Sequence, residues 1–438
     1  MRFDIAKRGE GLTYEIRNIV GVANRLKSCG MEVIWENIGD PVHKGEKIPD
    51  WMKEVLIDLL KEDINYAYSP TQGHEATREF IAERVNKRGK TQIAPDDIIF
   101  FNGLGDAIAR SYGVIRVDAR IILPEPTYST HFLAEVHHAS FPPSTYRMNP
   151  YHRWHPDMNE LEIKVKSHKA IVGILVINPD NPTGFVYPEE TLRRIVKIAR
   201  ENDLFLVFDE IYINMVYNAQ QTVPLSDIIE DVPAISMKGI SKEFPWPGAR
   251  CGWIEVYNGQ KDEAFAHYVQ AILMQKMAEV CSTTLPQVSI PRLMSHPEYE
   301  KYLNNRLRTY EQLSNVAYNI LKDVPYIVVN RTNGAFYMSV VFNEAVLNDR
   351  QTLPIEHSNI RHFIEKICSE RIELDKRFVY YLLGSTGICV VPLTSFFTPL
   401  MGFRMTLLEK DVSKFEYTVR VLAEKIVQYV ESSKWSRD

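Results

Sequence analysis

The chain has 438 residues, of which 45% are hydrophobic and 24% charged, the balance of a folded globular protein with no collagen-like, coiled-coil or disordered bias. Lysine and arginine number 51 against 56 acids, a net charge of −5, which leaves no basic excess to neutralise a nucleic-acid backbone. The 5 cysteines (Cys29, Cys251, Cys281, Cys368, Cys389) are odd in number, scattered and never in a CxxC pair, so neither a disulfide framework nor a zinc knuckle is indicated and a reducing cytoplasm is expected.

The opening MRFDIAKRGEGLTYEIRN lacks the apolar segment of a signal peptide, and no run of about 18 apolar residues follows, so neither export by that route nor a membrane span is expected. The pattern predicts a helix over 15–29 and a strand over 33–38. These are too few residues for a domain and are expected to pack on the C-terminal part. Asp97 to Phe101 (DIIFF) reads as a strand running into Asn102-Gly103-Leu104-Gly105 and a helix from Asp106; a second strand at 120–123 ends in Pro124-Glu125-Pro126-Thr127-Tyr128. Ala170 to Ile177 (AIVGILVI) is apolar on both alternating faces, as a strand covered on both sides of a parallel sheet must be. Pro188, Glu189 and Glu190 open a helix through Asn202, and Leu204 to Phe208 (LFLVF) is the next strand. Strand, helix and strand in that order form a right-handed crossover, and ligands of such sheets collect beyond the carboxyl ends of the strands.

After about residue 290 a long helix, 299–321, precedes short strands near 326–329, 335–341 and 387–391. The chain therefore reads as α/β. Residues 1–45 are expected to form an N-terminal arm lying with the small domain, 46–290 a large domain, and 291–438 a smaller α+β domain.

Three constellations carry chemistry. Asn178-Pro179-Asp180-Asn181-Pro182-Thr183-Gly184 follows the buried strand, and its two Asn-Pro steps force a rigid turn suited to presenting Asn181 to a ligand. Asp209 ends LFLVF, with Tyr212 just beyond. A carboxylate there can hold a cationic ring nitrogen, although alone it reads more readily as a helix N-cap. Ser241-Lys242 and Arg250 flank the proline-rich Phe244-Pro245-Trp246-Pro247, which refuses helix and lets both cations turn into one site. Lys242 follows an apolar run and precedes aromatics, the setting of a desolvated amine that forms Schiff bases. His137, His138, His152 and His155 match no zinc spacing, and no metal is expected.

Asn181, Asp209, Tyr212, Lys242 and Arg250, in this order, resemble the class I/II aminotransferases, fold type I of the pyridoxal-phosphate enzymes. The resemblance spans about residues 14–410 and implies a mostly parallel seven-stranded sheet sandwiched by helices, a smaller α+β domain, and pyridoxal 5'-phosphate as cofactor. Lys242 matches the lysine that holds the cofactor and moves protons. Asp209 matches the acid on the pyridinium nitrogen, Asn181 and Tyr212 the pair on the phenolic oxygen, and Tyr128 the aromatic stacked on the ring. Arg250 matches the phosphate-binding arginine, helped by the backbone of Leu104 and Gly105, with Gly103 allowing close approach and Ser241 beside the lysine. Tyr68 matches a tyrosine that reaches the neighbouring subunit's cofactor, which implies a homodimer with shared active sites. Arg404 in Gly-Phe-Arg-Met-Thr matches the arginine that takes the substrate α-carboxylate, and Gly39 fits the substrate-side loop.

Three positions depart from the pattern: Gly239 and Gly105 replace residues that commonly contact the phosphate, and Leu393 stands where glycine is usual. The stretch 386–392, Phe403-Arg404-Met405-Thr406 and Tyr14-Glu15-Ile16-Arg17 look like the alanine aminotransferases, in which the N-terminal Tyr and Arg, here Tyr14 and Arg17, close over the substrate. The expected reaction is ping-pong transfer between alanine or glutamate and pyruvate or 2-oxoglutarate. The alternatives are an aspartate or broad-range aminotransferase, a carbon–sulfur lyase or decarboxylase on the same fold, and a cofactor-sensing regulator with a DNA-reading module, for which the residues before Gly39 are too few.

Overall fold

The protein is described here as a computed structural model covering residues 15–139 and 143–433. Its large sheet runs in the spatial order Ile98–Phe101, Gly252–Tyr257, Ala234–Gly239, Phe205–Asp209, Ile171–Ile177, Arg120–Glu125, Thr145–Asn149 and His155–Pro156. The expected seven strands are present, and the two-residue strand 155–156 adds an eighth, antiparallel to its neighbour. The five strands from Ala234–Gly239 to Thr145–Asn149 are parallel, whereas Gly252–Tyr257 runs antiparallel to both of its partners.

Ile171–Ile177 shows why the sheet is central. Ile174 and Val176 enter one apolar cluster, with Leu206 and Phe208, while Leu175 and Ile177 enter another, with Val207 and Met237. Each such side chain taken fully out of water contributes about 1.5–3 kcal/mol. The crossover helix Glu189–Glu201 closes one face: Leu192, Ile195, Val196 and Ala199 recur at helical spacing and are all buried.

A second sheet orders Ile327–Val329, Tyr337–Phe342, Gly402–Thr406 and Val391–Pro392, antiparallel throughout. The single strand expected over 387–391 is in fact two. Ile388–Cys389 pairs in parallel with Ile34–Trp35, and only Val391–Pro392 joins the four-stranded sheet. The strand expected over 33–38 is accordingly short, because the chain changes partner at Glu36, whose N–H still donates to Cys389 O while its carbonyl accepts from Thr406 N. The long helix Tyr299–Leu321 has the bounds the sequence predicts. Among the described residues no helix is long and apolar enough to cross a membrane.

Glu135 is buried on the helix Ser129–Ala139. Burial drives its carboxyl up to about 7, against the pull of the Arg120 guanidinium. At low pH the proton is bound whether the chain is folded or not; as pH rises the unfolded chain releases it first, so folding stability falls up to about pH 7 and then levels. Glu135→Gln is expected to remove a loss on the order of 3 kcal/mol, read as a smaller drop in denaturation midpoint between acid and alkaline buffer. An unchanged pH profile would contradict the assignment.

Candidate active site

The parallel strands deliver their carboxyl ends to one edge. Asp209 pairs with Ile177 on one side and Met237 on the other, so the turn after Ile177, the Asp209 carboxylate and the loop after Gly239 emerge side by side. The antiparallel strand begins at this edge, since Gly252 pairs with both Gly239 and Phe101, and this places Arg250 beside the turn after Phe101. A cavity of about 380 Å³ opens there, lined by Leu104, Gly105, Tyr128, Asn181, Asp209, Tyr212, Ser241, Lys242, Arg250, Arg404 and Gly39 among others.

At its floor Asp209 is buried and meets His131 Nε2 at 3.1 Å. On the far side of the ring, His131 Nδ1 stands 3.2 Å from Tyr112 Oη, so the imidazole bridges the carboxylate and the phenol. Residues 211–214 form a turn and no helix, so Asp209 is not a helix N-cap; its Oδ1 accepts from Ile211 N at 3.2 Å. The turn presenting Asn181 is tied by Asp180, which accepts from Thr183 N at 3.1 Å and Thr183 Oγ1 at 2.5 Å. Burial pushes the Asp180 carboxyl up to about 7.

Lys242 Nζ donates to Gly39 O at 2.9 Å and lies 5.7 Å from the Phe336 ring centroid. Tyr212 donates to Tyr337 Oη at 3.0 Å, and burial pushes its hydroxyl well above the ordinary range. Arg404 donates to Asn181 Oδ1 at 3.1 Å and Asn37 O at 2.8 Å, with its guanidinium 4.3 Å from the Tyr337 ring centroid.

The helix Leu104–Gly113 starts two residues before the expected Asp106 and points its N-terminus at the cavity from Gly103, whose φ is 84°. A Cβ on Gly103 would collide with the Arg250 guanidinium. That guanidinium is held at Pro247 O (3.1 Å) and Asn102 O (3.4 Å), so free N–H groups and a cation face one small space, the makings of an anion site.

The departures have structural reasons. A Cβ on Gly239 would stand 2.9 Å from Cys251 O, so strand pairing leaves no room for a side chain. Gly105 faces open space within the cavity wall. Leu393 is buried in the core, with its Cδ2 3.2 Å from where a Cβ on Gly402 would stand, and does not line the cavity.

Tyr68 does not line this cavity and is 84% exposed. Tyr14 lies outside the described residues, as does the side chain of Arg17. Three residues went unnoticed in the sequence. His131 lies three residues after Tyr128, in the first turn of the helix Ser129–Ala139, a spacing that could have signalled it. Tyr337 stands in Gly-Ala-Phe-Tyr with no local cue. Asn37 is 2% exposed, lines the cavity, and among the described residues has no partner for either side-chain polar atom.

The family profile for aminotransferase class I and II matches residues 32–422. An uncharacterized aminotransferase of Methanocaldococcus jannaschii is 56% identical over 421 residues, 96% of this chain and 97% of that protein. The glutamate-pyruvate aminotransferase AlaA of Escherichia coli is 29% identical over 333 residues, 75% of this chain and 80% of that one. Among solved structures, the alanine aminotransferase from Pyrococcus furiosus superposes with a TM-score of 0.82 at 26% identity, covering 97% of this chain and 99% of that one. With a matched profile over most of its length and a fold shared with these enzymes, the chain belongs to the class I and II aminotransferases.

Proposed function

We propose that this aminotransferase moves the amino group between L-alanine or L-glutamate and pyruvate or 2-oxoglutarate, by a ping-pong reaction with pyridoxal phosphate held in the 380 Å³ cavity. One observation carries the reading: Lys242, Asp209, Asn181, Arg250 and Arg404, spread over more than 200 residues of chain, line a single cavity. The names of the E. coli and P. furiosus relatives support the choice of alanine and glutamate.

The residues present fit the cofactor. Gly103 leaves an anion cradle that a Cβ would fill, and Asp209 offers a buried carboxylate at the opposite end for a ring cation. When bound, the pyridoxal ring supplies an electron sink for the bond broken at the substrate α-carbon. Asp209, oriented by His131, holds the proton on the ring nitrogen. Tyr128 would cover the ring, Asn181 and Tyr212 would hold its phenolic oxygen, and Ser241, Arg250 and the backbone of Leu104 and Gly105 would hold the phosphate. Lys242 Nζ is the amine that would hold the cofactor and carry the α-carbon proton. Arg404 takes the α-carboxylate as a bidentate pair, with Gly39 shaping the substrate side and Tyr14 and Arg17 closing over it.

The same reading makes the enzyme a cytoplasmic homodimer in which Tyr68 reaches the partner's phosphate; its exposure beside Ile64 and Tyr66 supports this. It also divides the chain at about 45 and 290. The large sheet, drawn from 98–257, and the four-stranded sheet, drawn from 327–406, support that division, and the pairing of Ile34–Trp35 with Ile388–Cys389 supports an arm on the small domain.

The test is the visible absorption of the cofactor-loaded protein in single turnover. Bleaching by L-alanine and L-glutamate, with return on adding 2-oxoglutarate, is expected. Bleaching by L-aspartate in their place would move the enzyme to the aspartate group, and pyruvate released with ammonia would make it a lyase. Lys242→Ala is expected to abolish the exchange. Arg404→Lys, which cannot make the bidentate pair, is expected to raise KM for the amino acid about 10- to 100-fold, the equivalent of about 1.4–3 kcal/mol. In Gly103→Ala the new Cβ displaces Arg250, so cofactor affinity measured by titration is expected to fall at least about tenfold. Unchanged affinity would remove Arg250 from the phosphate site.

A further inference from the structure

A second cavity, of about 480 Å³, lies directly behind the catalytic one. The two are built from alternating residues of the same segments: Asp209, Ser241 and Lys242 line the first, Glu210, Gly239 and Glu243 the second, and Ile211 lines both. Its volume is that of a small-molecule site, for which about 300–1,000 Å³ is usual.

Glu243 is the group in this wall that the fold leaves unmatched. It is 6% exposed; its Oε2 accepts from Asn214 Nδ2 at 2.9 Å, and its Oε1 is buried with no hydrogen-bond partner among the described residues. A buried carboxylate oxygen without a donor is costly. The neighbouring cations are engaged elsewhere. Lys238 Nζ is 2.8 Å from Glu255 and 3.4 Å from Glu210. Arg306 pairs with Glu46 at 2.7 Å and donates to the backbone carbonyls of Lys242 and Glu243.

The mouth of the cavity carries the opposite charge. Arg84 and Arg88 line it from an exposed helix end. Lys87 pairs with Glu83 at 3.8 Å, while among the described residues neither Arg84 nor Arg88 has a carboxylate within ion-pair distance. Arg84 is near enough to Glu243 to pull its carboxyl down against the upward push of burial. The lining also offers apolar surface, from Phe80, Ile81, Trp253 and Met294.

We propose that this cavity is a second, non-catalytic binding site for a zwitterion with an apolar side chain, an aliphatic α-amino acid, whose ammonium donates to Glu243 Oε1 and whose carboxylate meets Arg84 and Arg88. An ammonium supplies the donor that Glu243 lacks, and a carboxylate adjoining it supplies the anion for the paired guanidiniums. The bound molecule sits on the residue next to Lys242. The proposal is independent of which amino acid the enzyme transaminates.

The experiment is calorimetric titration of L-leucine into the cofactor-loaded full chain and its variants. Binding is expected to persist in Arg404→Ala, to weaken at least about tenfold in Glu243→Gln and in the surface double variant Arg84→Ala/Arg88→Ala, and to weaken similarly for 4-methylpentanoate and for leucinamide, each of which lacks one charge. The double variant keeps the test informative should Glu243→Gln fail to fold. Binding lost in Arg404→Ala but intact in the double variant would assign the event to the catalytic cavity and overturn the proposal. Equal binding of 4-methylpentanoate would reduce the site to a plain anion patch, and no heat at millimolar leucine would remove it.

Discussion

The parallel pairing of Ile171–Ile177, Phe205–Asp209 and Ala234–Gly239 is the constraint on which the site depends. Hydrogen-bonded neighbours in a parallel sheet end at one edge, so three segments far apart in sequence must present their next residues together. Because both faces of these strands are filled by apolar side chains, a slip in register would bury polar residues and is strongly resisted. The antiparallel strand Gly252–Tyr257 completes the arrangement by starting where the others finish. Arg250 therefore arrives at the same cavity, beside Gly103, although it precedes its strand while Asp209 ends one.

Electrostatics then divides the cavity. Asp209 is sunk in the floor and held by the buried His131 and Tyr112, whereas Lys242, Arg250 and Arg404 approach from the loops and from the second sheet. A molecule that carries both a cation and anions matches this field. Preorganisation is visible in the contacts: Arg404 is already fixed by Asn181 and Asn37, and Tyr212 by Tyr337. Such anchoring limits the reorganisation required when a ligand enters.

Much of the site was legible because its cues are local. Two Asn-Pro steps, an aspartate at a strand end, and a lysine before a proline-rich loop are each short patterns with a mechanical reason. His131, Tyr337 and Asn37 were not legible, because their meaning lies in what they face across the fold. The departures at Gly239 and Leu393 show the same limit from the other side. Gly239 is glycine because Cys251 O crowds it, and Leu393 is harmless to the cavity because its side chain turns into the core against Gly402; neither reason can be read from neighbours in the chain.

The sequence by itself determined the α/β alternation, the central strands, the crossover helix and the residue types that carry the chemistry, because hydrophobic period and turn chemistry act over a few residues. Only the tertiary structure decided that 387–391 splits between two sheets, that Asp209 rests on a histidine, and that a second cavity with an unmatched Glu243 lies behind the first. These depend on which distant segments share an edge or a wall, and no periodicity within one segment encodes its partner.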